Sequence, residues 1–163
     1  MTNLPLKIAL IGCGRIAGHH CQSIGQVDGV ELAAVCDLDV AKAKAYGDQF
    51  SVPHFTDYHD MFQAVPEIDI AAVITPSGMH FEHGADVIER YKKHLIMEKP
   101  TFMRPEQLHT AYDAADQHGL QSPRPAPDRR TPDNSYCWRR PGPPARGRRR
   151  RPTPGDDRSD TRL

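Results

Sequence analysis

The stretch LKIALIGCGRIAG, Leu6 to Gly18, decides the fold. Leu6 to Gly12 is apolar but for one lysine, as a strand buried on both faces must be. The run breaks at Gly12 and Gly14, after which Ile16, His20, Ile24 and Val27 recur at helical spacing. Strand, glycine turn and helix make the first unit of a repeating pattern. VELAAVCD (30–37) is the next apolar run, followed by a helix with Val40, Ala43, Gly47 and Phe50 on its inner face. A short third strand spans 53–55 and a short helix 58–64. DIAAVIT (69–75) is a fourth strand, and Phe81, Gly84, Ala85 and Ile88 face inward from the helix after it. HLIME (94–98) is the fifth. The last helix carries Pro105 in its first turn, Leu108, Ala111, Tyr112 and Ala115 on one face, and Gly119 at its stop. Nearly all-apolar strands separated by amphipathic helices predict an α/β fold, a doubly wound parallel sheet with helices on both faces.

The break at the first strand's end carries chemistry. In the pattern Gly12-x-Gly14-x-x-Ala17, the first glycine permits a tight turn and the second lets a pyrophosphate approach the backbone. The small third residue lets helix and strand pack closely, and the free N–H groups of the helix start face the phosphates. A glycine turn that serves the backbone alone is the alternative reading. Asp37 ends the second strand about 20 residues beyond Ala17, where an acid that bonds the adenosine ribose hydroxyls is expected. A carboxylate there repels a 2′-phosphate, and the next residue is Leu38 rather than arginine, which favours NAD over NADP. Asp37 or Asp39 can equally serve as N-cap of the following helix.

Ligands of open α/β sheets bind outside the carboxyl ends of the strands. Two more segments leave strands at that edge. TPSGMHFEH (75–83) has Pro76 and Gly78 in its loop and His80 at the start of the next helix. Glu98-Lys99-Pro100 leaves the fifth strand. Oxidation of an alcohol requires hydride loss from carbon and proton loss from oxygen, and an ammonium group at Lys99 can hydrogen-bond that oxygen and stabilise its developing charge. Pro100 restricts the backbone of the residue before it. Without its motif, a lysine after a strand reads as a solvated end.

With Gly12-Cys13-Gly14-Arg15-Ile16-Ala17, Asp37, the TPSGMH loop and above all Glu98-Lys99-Pro100, residues 5–121 resemble the glucose–fructose oxidoreductase / inositol dehydrogenase / MocA family. The resemblance implies an NAD(P)-dependent oxidoreductase with an N-terminal Rossmann domain. It implies that Lys99 lies near the nicotinamide and touches the substrate. It also implies cofactor contacts from Gly12, Gly14, Arg15, Ile16, Ala17, Asp37, Thr75, Pro76, His80, Glu98, Lys99 and Pro100. The implied substrates are sugars, cyclitols and nucleotide-linked sugars, and KKHLIMEKPTFMRPEQL resembles nucleotide-sugar 3-dehydrogenases more narrowly.

The composition changes at Ser122. Residues 122–163 hold twelve arginines, nine prolines and no lysine, valine, isoleucine, phenylalanine or methionine. The chain as a whole has 163 residues and no net charge, but this segment is strongly basic and residues 1–121 are acidic. Such a segment buries too little apolar surface to offset its ordering entropy, so a disordered tail is expected after a dinucleotide-binding domain of residues 1–121. Relatives continue there with a sixth strand and a second domain that holds the substrate, supplies an acid–base residue and often mediates homo-oligomer assembly. Proline-rich SPRPAPDRRTPD is unsuited to that strand. A frameshift is the simplest account, leaving the fifth strand an exposed apolar edge prone to self-association. Two other functional classes remain: a nucleotide-binding module without turnover, and a nucleic-acid binder acting through Arg139 to Pro152. Cysteines 13, 21, 36 and 137 show no zinc spacing and read as free thiols in a reducing cytoplasm. The pairs His19-His20 and His80/His83 lack the acids or cysteines that would complete a metal site, so no metal is expected. No apolar run is long enough to span a bilayer.

Overall fold

A computed structural model describes residues 4–122. The basic tail, its expected disorder and the Arg139–Pro152 run lie outside the described residues. Five strands run in the order β3-β2-β1-β4-β5: β1 Leu6–Ile11, β2 Val30–Cys36, β3 His54–Phe55, β4 Ile70–Val73 and β5 His94–Met97. All pairings are parallel. The connecting helices are α1 Ala17–Ile24, α2 Val40–Phe50, α3 Tyr58–Ala64, α4 His80–Asp86 and α5 Pro105–Gln117.

The period-two alternation of the strands splits the core into two layers. Ile8 and Leu10 of β1, Val35 of β2 and Ala72 of β4 face α1 and α2, meeting Ala17, Cys21 and Ile24. Ala9 and Ile11, Ala34 and Cys36, Ala71 and Val73, and Leu95 and Met97 face the other side. They pack on Met61 and Phe62 of α3, Val87 and Ile88, and Ala111, Ala114 and Ala115 of α5. The sheet is therefore covered on both faces, as its apolar strands require. No helix among the described residues is long and apolar enough to cross a membrane.

Two inner faces differ from expectation. The buried face of α1 is Ala17, Cys21 and Ile24, whereas Ile16 is 37% exposed and Val27 56% exposed. The glycine turn occupies the chain up to Ile16, so the helix starts at Ala17 and stops before Val27, and its register follows the later start. In α2 Val40 is 63% exposed because it stands at the helix's first position, while Ala43 and Gly47 are buried. The helix from His80 also continues as a π-turn, Val87–Tyr91, which apolar spacing does not announce.

β5 is the last strand of the sheet, yet its outer side is not bare. The Leu95 N–H donates to the carbonyl of Gln121 at 3.0 Å, and the Gln121 N–H donates to His94 Nδ1 at 2.9 Å. The chain thus returns from α5 to lie beside β5, with Gly119 making the turn in the left-handed region at φ 66°.

Candidate functional site

The strand order reverses between β1 and β4, and the carboxyl ends of β1, β2, β4 and β5 meet around that point. The glycine loop is anchored on three sides. Gly12 N–H continues the ladder to the Cys36 carbonyl at 2.7 Å, and its φ of 107° lies in the region that favours glycine. A side chain on Gly12 would come within 3.0 Å of the Ile74 and Thr75 backbone at the end of β4. Cys13 N–H donates to Asp37 Oδ2 at 2.7 Å. Ala17, fully buried, closes helix onto sheet.

Around Gly14 the surroundings are the opposite. A Cβ there would meet nothing within 4 Å. Gly14, Arg15 and Ile16 are exposed, and no hydrogen bond among the described residues takes up their backbone N–H groups. Open space beside free donors at a helix start fits a phosphate-bearing ligand. Tyr46 closes the far side, its hydroxyl donating to the Gly14 carbonyl at 3.3 Å.

The two aspartates after β2 divide the tasks the sequence left open. Asp39 caps α2, accepting from the N–H groups of Ala41 and Lys42. Asp37 accepts from Cys13 with one oxygen and from Asp39 N–H at 2.8 Å with the other, so its carboxylate is held at the loop's rim. Leu38, 83% exposed, stands beside it.

Lys99 is exposed, and no hydrogen bond or ion pair among the described residues engages its ammonium group. Its turn is held through its neighbours. Glu98 accepts from the Lys99 N–H at 2.9 Å with one oxygen and pairs with His20 Nε2 at 3.0 Å with the other, and the Lys99–Pro100 bond is cis. Its spacing places His20 on the helix's inner face, and no local signal joins it to a glutamate on a distant strand. Pro76 is exposed in the loop after β4. Thr75 Oγ1 lies 3.0 Å from His83 Nδ1, and burial, ahead of opposing and reinforcing charges, pushes the His83 imidazole below its ordinary value. His80 is 1% exposed and lies in the wall beneath the site, not on its lining.

Cys13, Cys21 and Cys36 are free and buried. Burial, aided by the Asp37 charge, pushes the Cys13 thiol up to about 12. Burial likewise pushes Cys36 to about 12, with Asp57 contributing, and Cys21 to about 11. Protonated, inaccessible thiols are packing groups rather than nucleophiles. Among the described residues, no three His, Cys, Asp or Glu side chains are grouped to hold a metal. A shallow cleft of about 500 Å³ lies on the helical flank between α3 and α4, lined by Tyr58, His59, Glu82, Asp86 and Arg90 among others.

Residues 6–122 match the model of an oxidoreductase family with an NAD-binding Rossmann fold. Over 120 residues the chain is 31% identical to the D-glucoside 3-dehydrogenase of Escherichia coli, covering 73% of this chain and 34% of that protein. The WlbA dehydrogenase of Bordetella pertussis, solved with NADH and UDP-GlcNAcA, superposes with a TM-score of 0.66 at 30% identity, covering 71% of this chain and 36% of that one. The WlbA enzyme of Chromobacterium violaceum, solved with the same pair of ligands, gives a TM-score of 0.68 at 33% identity, covering 74% and 34%. The chain spans about a third of the length of these relatives.

Proposed function

This chain belongs to the glucose–fructose oxidoreductase, inositol dehydrogenase and MocA family, whose NAD-binding Rossmann domain its described residues form, and we propose that it holds NAD(H) across the strand ends for hydride exchange with a sugar hydroxyl. The observation that carries this reading is the contrast within the glycine loop. Gly12 is pressed against the end of β4, while Gly14, Arg15 and Ile16 offer free donors to open space. Those donors would hold the pyrophosphate, with the exposed Ile16 side chain beside it. Asp37 takes the adenosine ribose hydroxyls and disfavours a 2′-phosphate, so NAD is preferred to NADP. Leu38 offers an apolar flank for the base.

Bound there, the nicotinamide supplies the hydride donor or acceptor. Thr75 and Pro76 border its pocket from β4, and Glu98, Lys99 and Pro100 border it from β5. The free Lys99 ammonium hydrogen-bonds the reacting oxygen and stabilises negative charge as it develops. The substrate class is a sugar, cyclitol or nucleotide-linked sugar, and similarity to the glucoside and WlbA dehydrogenases supports it. The free thiols of Cys13, Cys21 and Cys36 suit a cytoplasmic setting. Nucleotide binding without turnover is the second reading, favoured because the free donors of Gly14–Ile16 serve a bound nucleotide whether or not Lys99 meets a substrate.

Lys99→Met separates the two readings. NADH affinity is expected to stay within about twofold of wild type, because the lysine acts on the substrate oxygen. NAD⁺ reduction by a panel of sugars and nucleotide-sugars is expected to fall about 10²-fold or more. NADH binding with no reduction by any sugar, in wild type and variant alike, selects the binding module. A chain that binds no NADH refutes both.

A further inference from the structure

His80 makes two contacts that a neutral ring is unable to make together. Its Nδ1 lies 2.8 Å from the Pro100 carbonyl oxygen and its Nε2 lies 2.7 Å from the Thr75 carbonyl oxygen. Neutral imidazole has one N–H and one lone pair. In either tautomer, one of these contacts would set a lone pair against a carbonyl oxygen at hydrogen-bonding distance. The doubly protonated ring donates to both. At 1% exposure no water competes for either nitrogen.

We propose that His80 is a buried imidazolium and a positioning residue for Lys99, tying the backbone just after Lys99 to the end of β4. It touches neither cofactor nor substrate. Burying a cation is costly, and two charge-assisted hydrogen bonds of this length offset that cost. α5, which packs against α4, carries Glu106, His109, Asp113 and Asp116 on the element next to His80. Glu82 and His83 follow on its own helix, and Glu98 and Lys99 precede Pro100 at the end of β5. Glu98 is engaged by His20 and by the Lys99 N–H. The His83 ring is pushed down first by burial, and a positive His80 acts in the same direction while Glu82 opposes. No carboxylate among the described residues hydrogen-bonds the His80 ring, so the two carbonyls are its stabilising partners. Loss of one ring proton would release either Pro100 or Thr75, and with it one wall of the Lys99 turn.

The charge state is independent of the cofactor reading, whereas its effect on binding rests on that reading. The test is ring-nitrogen NMR of the full chain with ¹⁵N-labelled histidine. It is recorded at a pH where exposed histidines in the same spectrum are neutral, with His80 assigned through contacts to Thr75 and Pro100. The expected result is a His80 ring with both nitrogens protonated. A neutral ring with one bare nitrogen overturns the proposal, whether or not NADH binds. His80→Gln, whose two N–H donors share one nitrogen and so fail to span both carbonyls, is expected to loosen Thr75 and Pro100, which border the nicotinamide pocket, and thereby weaken NADH binding about tenfold, and His80→Lys, which restores the charge and several donors, to recover part of it. Equal affinities in wild type and both variants overturn the positioning role. Failure of wild type to bind NADH removes the cofactor reading and leaves the ring's charge to the spectrum.

Discussion

Gly12→Ala is expected to destabilise the fold by about 2–4 kcal/mol, because it adds a strained left-handed residue to an overpacked contact. The new Cβ would lie 3.0 Å from backbone atoms of Ile74 and Thr75, which belong to the end of a central strand and have little freedom to move. A fall of about 10 °C or more in melting temperature follows for a domain of this size. Gly14→Ala, two residues later in the same motif, is expected to melt within about 2 °C of wild type, since nothing lies within 4 Å of its Cβ. Its cost appears only when ligand is added. The methyl group occupies the space the pyrophosphate needs, and NADH affinity falls about tenfold or more, a loss of about 1.4 kcal/mol per decade. Thermal melts with and without NADH read both effects. Equal melting of the Gly12 variant and wild type would refute the packing argument.

Asp37→Ala carries the second large effect. The wild-type carboxylate accepts from Cys13 N–H and Asp39 N–H, so it holds the glycine loop, and in the proposed reading it also bonds the ribose. Its removal leaves the Cys13 N–H without its acceptor, and each hydrogen bond to a charged group contributes about 1.5–3 kcal/mol. NADH affinity is expected to fall about 10- to 100-fold. NADPH affinity falls much less, because repulsion of the 2′-phosphate disappears together with the lost bonds. The NADH-to-NADPH preference therefore collapses, and adding Leu38→Arg tilts it toward NADPH. Paired titrations of both cofactors measure the ratio. An unchanged ratio in Asp37→Ala would place the ribose elsewhere.

The strands and their order of appearance were legible because a parallel sheet buried on both faces leaves long apolar runs, as in Leu6–Ile11 and His94–Met97. The glycine loop was legible through Gly12, whose backbone conformation admits almost no other residue. Helix registers were less so. The inner face of α1 was misread by including Ile16 and Val27, because apolar periodicity says nothing of where a glycine turn hands over to a helix. Contacts between distant segments left no local mark. His20 meets Glu98 across 78 residues, and His80 meets Pro100 across 20. His80 itself looked like a pocket residue from its place at a helix start, and only the packing of α4 against the ends of β4 and β5 shows that its ring is enclosed.

The most direct test of the account is an amide NMR titration of the full chain with NADH. The account predicts that the largest shifts fall on Cys13, Gly14, Arg15, Ile16, Asp37, Leu38, Thr75 and Lys99, at the carboxyl ends of β1, β2, β4 and β5. Shifts confined to the α3–α4 cleft around Tyr58, Glu82 and Arg90, with the glycine loop unmoved, would contradict it.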